Sequence, residues 1–139
     1  MEQLRELRAA LAPIHLDLWV VLYRRQLDLP VGAHLALCDK VTYWTWRADE
    51  LAHVEDEFAR VEELAPRCGK LLGCYLWDYA TRRPMPLAAL ERHCELGLRW
   101  LHSGRIEGFI FLASCICDLE LEAVEWARRW VAEVGGRPL

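Results

Sequence analysis

Among the carboxylates of this 139-residue chain, Asp78 holds the most suggestive position, closing the apolar run Leu71-Leu72-Gly73-Cys74-Tyr75-Leu76-Trp77. A carboxyl group beside an indole loses water, which raises its pKa and suits it to act as an acid. The same residue in a loop can instead cap backbone N–H groups or bond a ligand hydroxyl. Acid–base chemistry by paired carboxyl groups needs a second one facing the first. Asp118 is the other candidate, since the many glutamates fall on the outer faces of expected helices.

Other chemistries find less support. Cys115-x-Cys117 lacks a second pair at zinc-like spacing, and His15, His34, His53, His93 and His102 share no face, so no metal site is expected. A nucleophilic Cys115 or Cys117 would need a base that the sequence does not place beside it. The glycines of Gly104-Arg-Ile-Glu-Gly108 precede a strand, whereas phosphate cradles follow one and open a helix, and no cofactor is expected. A receiver-type domain would need a Lys after its last strand, which is missing. Six cysteines in a chain of this size and 54% apolar content read as reduced core thiols.

The formal charge of −4, with 17 basic residues scattered among acidic ones, argues against a nucleic-acid or anionic-membrane surface. The amino terminus does not read as a signal peptide, and no apolar run approaches membrane-spanning length, so a cytoplasmic protein of one domain over residues 1–139 is the expectation.

The elements that must position these residues follow from periodicity. Leu4, Leu7 and Leu11 mark a helix over 2–12 that Pro13 ends. Apolar runs rich in aromatic and β-branched residues predict strands over 16–23, 41–46, 70–78 and 108–114. Between them, helical stripes run through Val31, His34, Leu35 and Cys38, through Leu51, Val54, Phe58, Val61 and Leu64 over 49–65, and through Leu87, Leu90, Cys94, Leu98 and Leu101 until Gly104. A last helix carries Leu121, Val124, Ala127, Val131 and Val134. The order is α(βα)4, an α/β fold of parallel strands joined by right-handed crossovers.

Strand alternation then divides each run. Leu18, Val20 and Leu22, then Val41, Tyr43 and Thr45, then Leu72, Cys74 and Leu76 suit helix packing. The opposite phase brings Tyr23, Trp44, Trp46, Tyr75 and Trp77 to the carboxyl ends of three strands, where ligands of parallel α/β folds bind. With Asp78 and Ser114 beside them, they would line an aromatic mouth suited to a sugar ring or another flat, partly apolar ligand. Ordinary core packing is the competing account of the same aromatics.

The runs Val41-Thr42-Tyr43-Trp44-Thr45-Trp46, Leu72-Gly73-Cys74-Tyr75-Leu76-Trp77-Asp78 and Gly104-Arg105-Ile106-Glu107-Gly108-Phe109-Ile110-Phe111 resemble the later strands of glycosidase-like (β/α)8 barrels over roughly residues 16–134. The resemblance implies a barrel whose carboxyl-end loops hold a carbohydrate, with two carboxylates acting in its active members. Such a barrel has eight strands and about 250 residues, so four strands imply its carboxyl-terminal half. The expected partners are then a saccharide and either a second copy, as a homodimer, or a missing amino-terminal half. A non-catalytic interaction domain whose strand edges pair with another chain is the alternative.

Overall fold

The computed structural model describes residues 1–113 and 116–137. The chain opens with α1 (Glu2–Leu11), which ends in a short 3-10 turn containing Pro13. Then come β1 (Trp19–Tyr23), α2 (Gly32–Leu35), β2 (Lys40–Thr45), α3 (Val54–Leu64) and β3 (Gly69–Tyr75). A two-residue pair, β4 (Trp77–Asp78) and β5 (Arg83–Pro84), precedes α4 (Leu87–His102), β6 (Gly108–Leu112) and α5 (Glu122–Val134).

The four long strands form one sheet in the order β1-β2-β3-β6, and all three pairings are parallel. The α(βα)4 order expected from periodicity is therefore present, in an α/β fold whose strands follow chain order with no reversal. The first strand starts at Trp19 rather than at residue 16 and α2 stops at Leu35, short of Cys38; two further departures have local causes. The strand expected over 70–78 stops at Tyr75, because Leu76 donates its N–H to the Leu112 carbonyl while its own carbonyl accepts from Met85. That bend turns the chain into the antiparallel pair, in which Asp78 faces Arg83. The helix expected over 49–65 is a 3-10 turn, Asp49–His53, followed by α3. Asp49 does not cap it; its carboxylate is held by the Arg47 guanidinium at 3.0 and 2.8 Å.

The helices cover one phase of the sheet. The cross-strand row Leu22, Tyr43, Leu72 and Phe109 meets Leu35 of α2, Val54, Phe58 and Val61 of α3, and Trp100 of α4. Further along, Cys74 packs with Leu90 and Cys94 of α4 and with Ala123, Val124 and Ala127 of α5. The approach of α4 is close enough to require a glycine. A Cβ on Gly97 would lie 2.5 Å from the Phe109 ring and 2.7 Å from Leu72.

Phe58 is fully buried at the centre of the first cluster, stacked on Trp100 with centroids 4.6 Å apart and edge-on to Tyr43 at 6.3 Å. Arg105 closes the stack: its guanidinium lies 4.4 Å from the Trp100 ring and makes two hydrogen bonds to Glu62, at 2.9 and 2.8 Å. Among the described residues, Cys38, Cys68, Cys74, Cys94 and Cys117 carry free thiols. Among the described residues no helix is long and apolar enough to cross a membrane.

Because three elements meet at Phe58, Phe58→Ala is expected to lower stability by about 3–5 kcal/mol. Urea unfolding followed by far-UV circular dichroism measures it, and a loss under about 1 kcal/mol would contradict this packing.

Candidate functional site

The phase of the sheet opposite the helices carries Trp19 and Val21, which are 47% and 45% exposed, and then the aromatics of the strand ends. Here the row Tyr23, Trp44, Gly73 and Ile110 crosses all four strands. Trp44 does not stand up from the sheet. Its Nε1–H donates to Thr42 Oγ1 at 2.8 Å, two residues back on the same face, and the indole lies over Gly73, where any Cβ would overlap its six-membered ring. Glycine at position 73 is the condition for that flat indole.

Around Trp44 the aromatics form a connected array. Tyr75 packs against it with centroids 4.8 Å apart, and Tyr79 lies edge-on to Tyr75 at 5.1 Å. The hydroxyls of Tyr23 and Tyr75 are hydrogen-bonded at 2.9 Å, bridging β1 and β3. Trp46, 44% exposed at the end of β2, tilts against Tyr23 at 6.0 Å. Burial, and next the bond to Tyr23, push the Tyr75 hydroxyl above its ordinary pKa, so it stays protonated and works as a hydrogen-bonding group.

Four of the expected residues, Tyr23, Trp44, Trp46 and Tyr75, are thus brought together, and Tyr79, one residue past the strand expected over 70–78, joins them. Trp77 is past the bend, pairs with Pro84 and packs against the second core cluster; no ring contact among the described residues joins it to the array. Ser114, like Cys115, lies outside the described residues. Asp118 is exposed in the turn after β6.

Asp78 differs from expectation in its chemistry. It is 4% exposed, and its carboxylate accepts three backbone N–H groups, Ala80 at 2.8 Å, Thr81 at 3.0 Å and Ala48 at 3.2 Å. Burial alone would raise its pKa, but the bonds from Thr81, Ala48 and Ala80 together outweigh it, so the carboxyl is held below its ordinary range. The expected rise is overturned. Asp78 is an anion that ties the loop after β2 to the turn between β4 and β5.

Beneath the array, on the helix side, His93 of α4 donates Nε2–H to the Gly73 carbonyl at 3.3 Å. Its Nδ1 is buried with no partner among the described residues. Burial, opposed by the Gly73 bond, pushes its pKa down to about 4. The same glycine therefore receives Trp44 on one face of the sheet and a neutral imidazole on the other.

Three clefts open near these residues. One of about 390 Å³ at the ends of β1 and β2 is lined by Tyr23, Trp46, Arg24, Arg25, Arg47, Asp28 and Glu50. One of about 580 Å³ runs past Asp78, Arg83 and Pro86. A third, of about 690 Å³, lies in the helical layer between the Asp49–His53 turn and α4. Among the described residues no group of His, Cys, Asp and Glu side chains is arranged to hold a metal ion.

Compared with known proteins, the chain matches no family model, no curated protein and no solved structure. What fold and site define is an α/β protein with one parallel sheet, whose helix-free phase carries an aromatic array at the strand ends.

Two outcomes test this geometry. Gly73→Val is expected to expel the Trp44 indole, seen as a red-shifted tryptophan emission with secondary structure retained; an unchanged spectrum would refute the flat packing. His93, with a folded pKa near 4 against an ordinary 6.5, binds fewer protons folded than unfolded between those values, so its contribution is complete above pH 6.5 and drains away as pH falls toward 4. The full loss is on the order of 3 kcal/mol. Stability measured from pH 7 to 4 should therefore fall less steeply in His93→Gln than in the parent, and parallel curves would rule out a neutral buried imidazole.

Proposed function

We propose that the chain is one half of a glycosidase-like (β/α)8 barrel, and that its strand ends bind a saccharide or polyol. The observation that carries this reading is the aromatic array of Trp46, Tyr23, Tyr75, Trp44 and Tyr79, set at the carboxyl ends of three parallel strands on the phase the helices leave free. Flat rings accept the C–H faces of a sugar, and the bridged Tyr hydroxyls offer hydrogen bonds at the edge. Chain-order strands with α2, α3, α4 and α5 packed on one phase support the half-barrel, since that is the arrangement of four consecutive units of a closed ring. The role of this half is binding. Asp78, with both carboxylate oxygens engaged by backbone N–H groups, lacks the raised pKa of a general acid.

Titrating the chain with neutral oligosaccharides (cellotetraose, maltotetraose, mannotetraose) while following tryptophan emission tests the reading. Saturable binding is expected, weakened roughly two- to tenfold by Trp46→Ala as one stacking ring is removed. No binding of any saccharide would sink it.

A second reading rests on a different observation. The outer strands β1 (WVVLY) and β6 (GFIFL) contain no charge and no proline, the usual protections of an edge, and Trp19 and Val21 stand exposed beside them. An interaction domain that pairs with another chain accounts for such edges. A solution mass of two chains, reduced to one by Val21→Lys, is expected if a second copy provides the complement. A monomer at every concentration would leave the complement to a different half.

A further inference from the structure

The aromatic array supplies a stacking surface, but a sugar also needs donors and acceptors for its hydroxyls, and the three clefts differ in what they have free. In the cleft past Asp78, Asp78 is engaged by three N–H groups, and Asp49 is held at two points by Arg47. The cleft in the helical layer lies on the other side of the sheet from the array. The cleft at the ends of β1 and β2 is continuous with the array, because Tyr23 and Trp46 are part of its lining.

Its charged groups divide by whether they are already engaged. Arg24 Nε lies 3.2 Å from the buried Glu57, and Arg47 is bound to Asp49. Arg25 and Asp28 make no ion pair or hydrogen bond among the described residues. Glu50 is in a looser ion pair with Arg47, at 3.6 Å, and makes no hydrogen bond among the described residues, so its oxygens keep lone pairs for a ligand's O–H groups. Burial pushes the Glu50 carboxyl above its ordinary pKa against the pull of Arg47 and Arg24, consistent with its side chain being only 20% exposed.

We infer that Arg25, Asp28 and Glu50 form the polar half of the ligand site and hold vicinal hydroxyls of a neutral sugar ring that rests on Trp46 and Tyr23. The inference rests on the saccharide reading above and deepens it. A planar guanidinium donates to two neighbouring oxygens at once, and a carboxylate accepts from two neighbouring O–H groups, so both fit a vicinal diol. Neutrality follows from the lining. An anionic ligand reaching Arg25 would meet Asp28 and Glu50, and a cationic one would meet three arginines. The volume of about 390 Å³ falls in the range of small-ligand pockets.

The test is isothermal titration of the full chain with the three oligosaccharides, followed by Arg25→Gln, Asp28→Asn and Glu50→Gln with the tightest binder. Each variant is expected to weaken binding roughly tenfold or more, because a group that bonds the ligand is removed. Deoxy analogues lacking one hydroxyl of the diol should bind the parent with a similar loss, which tests the contact without altering the protein. If the parent binds, Trp46→Ala weakens it, and both the polar variants and the deoxy analogues stay within twofold of the unaltered pair, the inference is overturned while the saccharide reading stands. A parent that binds none of the sugars overturns both.

Discussion

The structure depends on one constraint of chain geometry: parallel strands laid down in sequence order send every right-handed crossover to the same side of the sheet. With β1, β2, β3 and β6 in that order, the phase containing Leu22, Tyr43, Leu72 and Phe109 must serve all the covering helices. Beyond Lys70 at the start of β3 it is accordingly uncharged and mostly apolar, and α4 comes so close that Gly97 has no room for a side chain. The opposite phase is the one that α2, α3, α4 and α5 do not cover. Large amphipathic aromatics can accumulate there, and Trp44, Tyr23 and Tyr75 do, at the end where the strands emerge.

Buried polar groups couple these two sides. Glu57 of α3 accepts the Tyr43 hydroxyl at 2.5 Å and lies 3.2 Å from Arg24 Nε, so a carboxylate that would be costly alone is both bonded and paired. Burial, then the Glu57 bond, push the Tyr43 hydroxyl above its ordinary pKa, and it remains the donor. Arg24 follows Tyr23 directly, at the end of β1. Drawing Arg24 toward α3 places its neighbour Tyr23 toward the other face, where it meets Tyr75. His93 acts similarly one strand pair away: its bond to the Gly73 carbonyl fixes from below the backbone on which Trp44 rests.

Much of this fold is legible in periodicity. The stripe Val54, Phe58, Val61 is a pattern of burial, and the unbroken run Val41 to Thr45 is that of a strand buried on both faces. What periodicity does not carry is the direction of the chain once a strand ends. Leu76 continues an apolar run, yet its backbone bonds to Leu112 and Met85 turn the chain, so Trp77 leaves the array that Tyr79 joins. The polar lining of the cleft was illegible for a similar reason. Arg25, Asp28 and Glu50 look like solvated loop residues in sequence, and only the closeness of the ends of β1 and β2 puts them around one cleft with Tyr23 and Trp46.

Asp78 shows why the most conspicuous carboxylate need not be the available one. A loop leaving a parallel strand exposes backbone N–H groups that no ladder satisfies, and burying them without acceptors costs about 1–3 kcal/mol each. One carboxylate at the strand end can satisfy several, as Asp78 does for Ala48, Ala80 and Thr81. The apolar surroundings that single it out in sequence are those in which an unbonded charge would be least tolerated, so its burial calls for the same N–H groups that lower its pKa. Glu50, at the rim, is under no such demand. In a mouth built from strand-end loops, the carboxylates open to a ligand are those the loops do not need for their own backbone.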